Sequence, residues 1–420
     1  MDNRKSNMQL PENIKAELKD FFPDITNLES HCQPFSGGYS GRAPFKINYN
    51  GKMYVVRELN LDVEKITQPV SESILKLPLK NQHAFNEMKE KFKYVNIREY
   101  YCNLKASEAN FGPKLHNKNP MVLITDLAEG VTMKPTDFDI WSATTTSNLY
   151  EKNEKLKTLS VINCLIKLHQ APIDNNDPKL TTLSVHEWIT LFYSLAQIQH
   201  QHNDNLNHYL FELDKRIDVI TNILQQQAKK LAIPTAFTHG DITGGNILLE
   251  IKDDEPKLSL IDWTDGGLGD PYYDLAKLVN YMYSSITKSA ADDNFAIMIL
   301  NAYEIGKNQK PPSPALIQYF LAMRDIVYLR QGLWALSRAA EVSKDIPLNF
   351  ESTKTLTVNE MRTNLFEKKI DLNSPEGFSL MAKCYIEKFK NSENITKYIN
   401  AYNNRIEASP HKRALVQLYS

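Results

Sequence analysis

The sequence predicts an α+β chain in two parts, a small antiparallel sheet followed by a larger, mainly helical half. Three observations carry this expectation. First, an Asn50-Gly51 pair separates two strand-like runs within "FKINYNGKMYVVRE", and that dipeptide favours the tight turn of a β-hairpin. Second, from about residue 150 apolar residues recur at i, i+3, i+4 and i+7, as in "EKLKTLSVINCLIKLHQ", the period of an amphipathic helix. Third, this helical half is broken by two polar stretches, "FTHGDITGGNILLE" and "LSLIDWTDGGLGDPYYDLAKL", each built on a short apolar strand.

Size and composition bound the reading. At 420 residues, 42% apolar and 24% charged, the chain can bury a core and form two or three domains or one bilobal unit. Lys+Arg 49 against Asp+Glu 50 leaves a charge of −1, so no bulk attraction to nucleic acid or anionic membrane is expected. Cys32, Cys102, Cys164 and Cys384 are scattered without a C-x-x-C pair, which argues against a disulfide framework or a zinc site. The charged start lacks the apolar centre of a signal peptide, and no apolar run approaches the ~18–20 residues that span a bilayer. The expected location is the cytoplasm, of the producing cell or of a host if the chain is exported without a cleaved signal.

The elements follow in order. Residues 11–30 read as a short N-terminal helix with Pro11 near its start. The first lobe is expected over 31–128, with a glycine-containing turn from Ser36 to Gly41 ahead of the hairpin. Residues 61–95 are polar and Lys-rich, an insertion with a helix expected over Gln82–Tyr94. "NIREYYCNLKASEANF" reads as a helix stopped by Gly112-Pro113, and "MVLITDLAEG" as a buried strand running into a turn. The helical lobe is expected over 129–345, and residues 346–420 as a C-terminal helical extension.

The two polar stretches carry the chemistry. Asp241 lies on a loop between apolar segments, Asn246 leads into the strand "NILLEI", and Asp262 ends the strand "LSLI". If those strands pair across "KDDEPK", the three side chains converge at one end of the hairpin. That supplies one carboxylate to accept a hydroxyl proton, and an amide oxygen plus a second carboxylate for Mg²⁺, which favours hard oxygen ligands beside water and phosphate.

"HGDITGGN" followed by "LIDW" resembles the catalytic and metal loops of the aminoglycoside phosphotransferase/choline kinase family, and "DGGLGDPYYDLA" is similar to the segment that follows in its bacterial members. The resemblance runs in order over roughly residues 31 to 345. It implies a bilobal protein-kinase-like fold, ATP and Mg²⁺ as cofactors, Asp241 as catalytic base, and Asn246 and Asp262 as metal ligands. His239 would support the loop from beneath and Asp274 would brace it through hydrogen bonds. Ser36, Gly37 and Gly38 would cover the nucleotide phosphates, Arg57 would contact them, Glu99 would pair with Arg57, and the backbone of Asp126, Leu127 and Ala128 would meet adenine. Arg57 stands where aminoglycoside phosphotransferases usually have lysine, although choline-kinase-type members often carry arginine.

The implied reaction is phosphorylation of a hydroxyl on a small-molecule acceptor. "VYLRQGLWALSRA" resembles the late helix that carries aromatic residues toward the ammonium group in choline and ethanolamine kinases, with Trp334 at one aromatic position and Gln331 where a second tryptophan is expected. Trp263, Asp265, Tyr272, Tyr328 and Trp334 are therefore the candidate acceptor contacts, and choline, ethanolamine or thiamine the favoured acceptor class. An aminoglycoside or other sugar is the alternative, for which Asp265, Asp270, Asp292 and Asp293 would supply acidity. A kinase-fold scaffold without transfer activity, docking a protein through the insertion or the extension, is the alternative of another class. Taken singly, a glycine turn, a helical glutamate or a tryptophan is a turn, a solvated residue or a packing residue. The order of the motifs is what gives them weight.

Overall fold

A computed structural model describes residues 10, 12–34, 44–59, 95–138, 149–174, 177–200, 203–252, 255–284, 288–343, 350, 353–372 and 374–407. The N-terminal lobe is a four-stranded antiparallel sheet of β1 (Cys32–Pro34), β2 (Phe45–Tyr49), β3 (Lys52–Glu58) and β4 (Val122–Asp126), in that order. The β2–β3 turn holds Tyr49 opposite Lys52, with Asn50 at φ 51° and Gly51 at φ 77°. Both central residues of a type I′ turn require positive φ, which asparagine and glycine tolerate best.

Helix α1 (Glu12–Phe21) lays Ile14, Leu18 and the adjoining Phe22 on the sheet, where they share a core with Phe45, Ile47, Val56, Val122 and Ile124. The helix expected over 11–30 stops at Phe21, and a separate turn, α2 (Leu28–His31), follows. Pro23 explains the break, because proline cannot donate into the helix and disfavours helical backbone in the residue before it. Helix α3 (Val95–Glu108) delivers Glu99 and Arg98, both buried. The turn Ser36–Gly41, most of the 61–95 insertion and the helix expected over Gln82–Tyr94 lie outside the described residues.

The C-terminal lobe begins with β5 (Val131–Thr132) and α4 (Leu149–His169), continues through α5 (Val185–Gln199) and α6 (Asp204–Lys230), and reaches β6 (Ala236–Thr238). Strands β7 (Ile247–Lys252) and β8 (Glu255–Leu260) pair antiparallel, with Ile247 opposite Leu260, and β5 adds to the β7 edge. β6 pairs with β9 (Gly267–Gly269), and α7 (Pro271–Tyr281) follows behind the Asp270 N-cap. The β10–β11 pair (Tyr283–Ser284, Ser289–Ala290) leads to α8 (Asp293–Asn308) and the 30-residue α9 (Pro314–Ser343).

Helices α10 (Val358–Phe366), α11 (Pro375–Lys390) and α12 (Glu393–Glu407) come from the expected extension. They share one buried core with α4 to α9, and α11 packs closely along α9. At Gly332 of α9 an added Cβ would lie 2.8 Å from Ile386 Cγ1 and 3.2 Å from the Ala382 carbonyl oxygen, so glycine permits the close approach. Among the described residues, no helix is long and apolar enough to cross a membrane.

Candidate active site

The β7–β8 register sets the site. With Ile247 opposite Leu260, Asn246 and Ile261 continue the pair, and the Ile261 N–H donates to the Asn246 carbonyl at 3.0 Å. The Asn246 side-chain Nδ2 donates to Asp241 Oδ2 at 2.8 Å and to the Asp241 carbonyl at 2.9 Å. Both partners are acceptors, which fixes the amide orientation and directs Oδ1 away from Asp241. Asp241, Asn246 and Asp262 are thus gathered at one end of the hairpin.

His239 ties the two loops together. Its Nε2 lies 2.9 Å from the Ile261 carbonyl, while its Nδ1 accepts from the Asp241 N–H at 3.2 Å. One nitrogen donates and the other accepts, as in neutral imidazole. The ring rests on Trp263 with centroids 4.6 Å apart, and Trp263 in turn stacks on Phe237 at 5.2 Å.

Asp274, on the first turn of α7, is fully buried and accepts from the N–H groups of His239 at 2.7 Å and Gly240 at 2.8 Å. His169 Nε2 lies 3.2 Å from the same carboxylate, and its Nδ1 meets the Tyr303 hydroxyl at 2.8 Å. Burial alone would raise the Asp274 pKa, but the hydrogen bond and charge of His169, with His239, bring it below the ordinary carboxylate value. Gly240 has φ 76°, and a Cβ there would lie 2.2 Å from the Asp265 carbonyl oxygen, so the loop needs glycine to pass this close.

Arg57 on β3 reaches across to the second loop. Its Nη1 lies 3.0 Å from Glu99 Oε1 and 3.0 Å from Asp262 Oδ1, and its Nη2 donates to Thr264 Oγ1 at 3.2 Å. Glu99 is raised above its ordinary pKa by burial, which Arg57 opposes but does not cancel. Asp262 adopts φ 62°, left-handed backbone for a non-glycine residue, at a cost of about 1–3 kcal/mol that marks a constrained position.

Several polar groups had no motif to announce them. Lys277, buried on α7 one turn beyond Asp274, forms an ion pair with Asp241 Oδ1. Desolvation is the largest single influence on Asp241 and raises its pKa, yet the charge and hydrogen bond of Lys277, with Arg330, outweigh it and leave the carboxyl below its usual range. Arg330 on α9 is buried and paired with Asp265 at 2.5 Å. Arg98 is buried and donates from Nη2 to the Thr264 carbonyl at 3.1 Å. The "DLAKL" spacing, with Lys277 three residues after Asp274 on one helix face, was the available signal for the lysine.

Two N–H groups of the backbone expected to meet adenine are already engaged. The Asp126 N–H donates to the Lys114 carbonyl and the Leu127 N–H to the Met53 carbonyl, so both are spent inside the lobe. The Asp126 carboxylate is taken by Lys52 at 2.8 Å and His116 at 2.5 Å. Asp126, Leu127 and Ala128 line a cavity of about 590 Å³. Ser36, Gly37 and Gly38 lie outside the described residues.

The aromatic acceptor contacts expected from the sequence need correction. Trp263 is fully buried beneath His239, with Nε1 donating to the Leu260 carbonyl. Tyr272 is buried and its hydroxyl donates to Glu304 at 2.8 Å. Tyr328 is buried against Tyr385, and half-buried Trp334 meets Phe378 edge-on, both partners lying on α11. Packing against α11 thus engages both late-helix aromatics. Of the acidic candidates, Asp270 caps α7 and accepts from Tyr319, Asp292 caps α8, and Asp293 pairs with Arg324 at 3.0 Å. Asp265 does lie beside the loop and lines, with Gly240 and Tyr273, a cavity of about 320 Å³ between α5, α6 and α9.

Among the described residues no group of three or more His, Cys, Asp or Glu side chains forms a self-sufficient metal cage. Mg²⁺ does not require one, since it commonly binds through one or two protein oxygens with phosphate and water completing the octahedron. The Asn246 amide oxygen and the Asp262 carboxylate provide a hard-oxygen set of that kind.

Comparison with known proteins bears on the family and the fold. The model of the phosphotransferase enzyme family (APH) matches residues 143–316. The fold is similar to that of choline kinase from Cryptosporidium parvum Iowa II, with 14% identity, TM-score 0.52 and coverage of 85% of this chain and 94% of that one. It is also similar to Plasmodium vivax ethanolamine kinase, with 14% identity, TM-score 0.50 and 90% of each chain covered. A streptomycin–ATP ternary complex of APH(2'')-IIa aligns at TM-score 0.48 with 14% identity, covering 88% of this chain and 99% of that one. No curated protein sequence matches the chain.

Proposed function

We propose that the chain, whose residues 143–316 match the phosphotransferase enzyme family model and whose fold is protein-kinase-like, transfers the γ-phosphoryl group of ATP to a hydroxyl of a small molecule, with Asp241 as the base. The observation that carries the reading is the joining of the two acidic loops by His239, which sets Asp241 and Asn246 against Asp262. Asn246 and Asp262 would hold Mg²⁺, which when bound neutralises charge on the transferring phosphoryl group. The chain's own groups do the rest. Asp274 and His239 fix the loop, Asn246 and Lys277 orient the Asp241 carboxylate, and Asp241 accepts the acceptor's hydroxyl proton as the oxygen attacks.

Arg57, steered by Glu99, would contact nucleotide phosphate, and Ala128 would offer its backbone to adenine. With four free thiols in the chain, a reducing, ATP-containing cytoplasm fits this chemistry. The scaffold alternative gains nothing from an assembled Asp241–Asn246–Asp262 set. The amino-alcohol preference rests on the likeness of residues 327–339 to the late helix of choline and ethanolamine kinases, while Trp263, Tyr272 and Tyr328 are buried, so choline, ethanolamine, thiamine and aminoglycosides enter as arms of one screen beside neutral and acidic alcohols. The test is ADP production across that panel, with Asp241→Asn as control. Loss of turnover by about 10²–10⁴-fold with ATP binding retained is expected, and wild-type-like turnover in the variant rejects the assigned base.

A further inference from the structure

Arg330 is a buried cation to which the phosphoryl-transfer scheme above gives no role beyond its charge on Asp241. Its guanidinium carbon lies 4.9 Å from the Trp188 ring centroid, 5.5 Å from Phe192 and 6.0 Å from Tyr273. Trp188 and Phe192, one helical turn apart on α5, are stacked at 5.6 Å with an interplanar angle of 13°. The Asp265 carboxylate closes the arrangement at 2.5 Å from Nη2. π faces with one carboxylate around a positive charge are the chemistry that recognises an ammonium ligand. Here the occupant is a side chain of the same protein.

Two further facts separate this arrangement from an ordinary buried ion pair. Arg330 Nε is buried with no hydrogen-bond partner among the described residues, so the guanidinium is held by ring faces and one carboxylate and not by a saturated set of acceptors. The cage also adjoins the catalytic loop, because Asp265 presses its backbone on Gly240 and the Arg330 charge acts on Asp241. With Lys277 paired to that carboxylate, a second cation brought here would meet two like charges in a poorly solvated place.

We propose that Arg330 is a specificity-determining residue, an internal guanidinium that fills an aromatic cation subsite beside Asp241 and so excludes acceptors that carry a positive group there. Resting on the phosphotransferase reading above, this assigns the acceptor to alcohols without an ammonium group at that position. It also implies that removing the guanidinium opens the subsite to an external cation.

The test uses thermal denaturation of the full chain with methylguanidinium or tetramethylammonium chloride, and sodium chloride at matched ionic strength as reference. Arg330→Ala is expected to melt lower than wild type and to recover at least half of the lost Tm with either organic cation, by selective binding to the folded state. Wild type is expected to be unmoved, and Arg330→Lys to respond less than Arg330→Ala. Should Arg330→Ala fail to fold with Asp265 unpaired, the double variant Arg330→Ala/Asp265→Asn keeps the ring faces and is read in the same way. Equal cation responses in wild type and variant, or none in any folded variant, overturn the proposal. So does saturable, micromolar-KM choline turnover by wild type. Cation rescue without turnover of any acceptor would support the filled cage while rejecting the phosphotransferase reading on which the acceptor assignment rests.

Discussion

Replacing Asp274 with asparagine probes how the catalytic loop is held, and its cost can be worked from three contacts. The carboxylate accepts from the His239 N–H at 2.7 Å and the Gly240 N–H at 2.8 Å, and lies 3.2 Å from His169 Nε2. Hydrogen bonds to a buried charged acceptor contribute about 1.5–3 kcal/mol each, against about 1 kcal/mol for neutral pairs. Asparagine keeps one oxygen, so one backbone bond falls to the neutral value, while its NH₂ faces an N–H and leaves that donor without an acceptor. The expected loss is about 3–5 kcal/mol, a large share of a typical stability of about 5–15 kcal/mol. Urea unfolding near neutral pH, with the slope checked for two-state behaviour, measures it.

The pH dependence supplies a second, independent reading of Asp274. Its native pKa is depressed, so the native state holds fewer protons than the unfolded chain. The stability it contributes is fully present above the unfolded value near 3.9 and is lost as pH falls through the lower native value. The gap between wild type and Asp274→Asn should therefore be constant near neutrality and close below about pH 4. A gap under about 0.5 kcal/mol, the scatter of an inconsequential surface change, or one that widens on acidification, refutes the reasoning.

Further outcomes are expected. Asp262→Ala should abolish the Mg²⁺-dependent part of nucleotide binding, and calorimetry that finds the same affinity with and without Mg²⁺ in wild type and variant would contradict the ligand set. Lys277→Met removes the ammonium that depresses Asp241, so the acid limb of the kcat/KM profile should move to higher pH, with Lys277→Arg restoring it; an unmoved limb in a folded Lys277→Met enzyme argues against the pairing. Arg57→Ala leaves Glu99 buried without its cation and should cost about 3–5 kcal/mol, whereas Glu99→Gln should cost less because burial already favours the neutral form; the reverse order in chemical denaturation would sink that account. Gly332→Ala forces a methyl toward Ile386 and should destabilise by about 1–3 kcal/mol, and a neutral result would mean that α9 and α11 separate easily.

How far the sequence exposed this molecule depends on the distance between interacting groups. The Asn50-Gly51 turn, the β7–β8 pair and the Asp241-to-Asn246 loop are local, so turn chemistry and strand length declare them before any tertiary contact forms. Asp274 was legible because it sits in a continuous motif that begins at Asp265. Lys277 and Arg330 were not, since a cation within a largely apolar helix acquires meaning only from a distant partner, 65 residues away for Arg330 and Asp265.

The packing of the late-helix aromatics was hidden for a related reason. Helix α9 is buried on nearly every side, so its hydrophobic pattern has no polar face to show which stripe meets the cleft. That choice is made by α11, whose Phe378 and Tyr385 take up Trp334 and Tyr328 through the close approach at Gly332. From α9, Arg330 bears on Asp241 through its charge and pairs with Asp265. If Arg330 bounds the acceptor site as proposed, acceptor preference is coupled to how the last three helices pack, and a substitution such as Gly332→Ala that loosens α11 should alter acceptor KM before it alters ATP affinity. Equal changes in both constants would break that coupling and leave α11 a purely structural support.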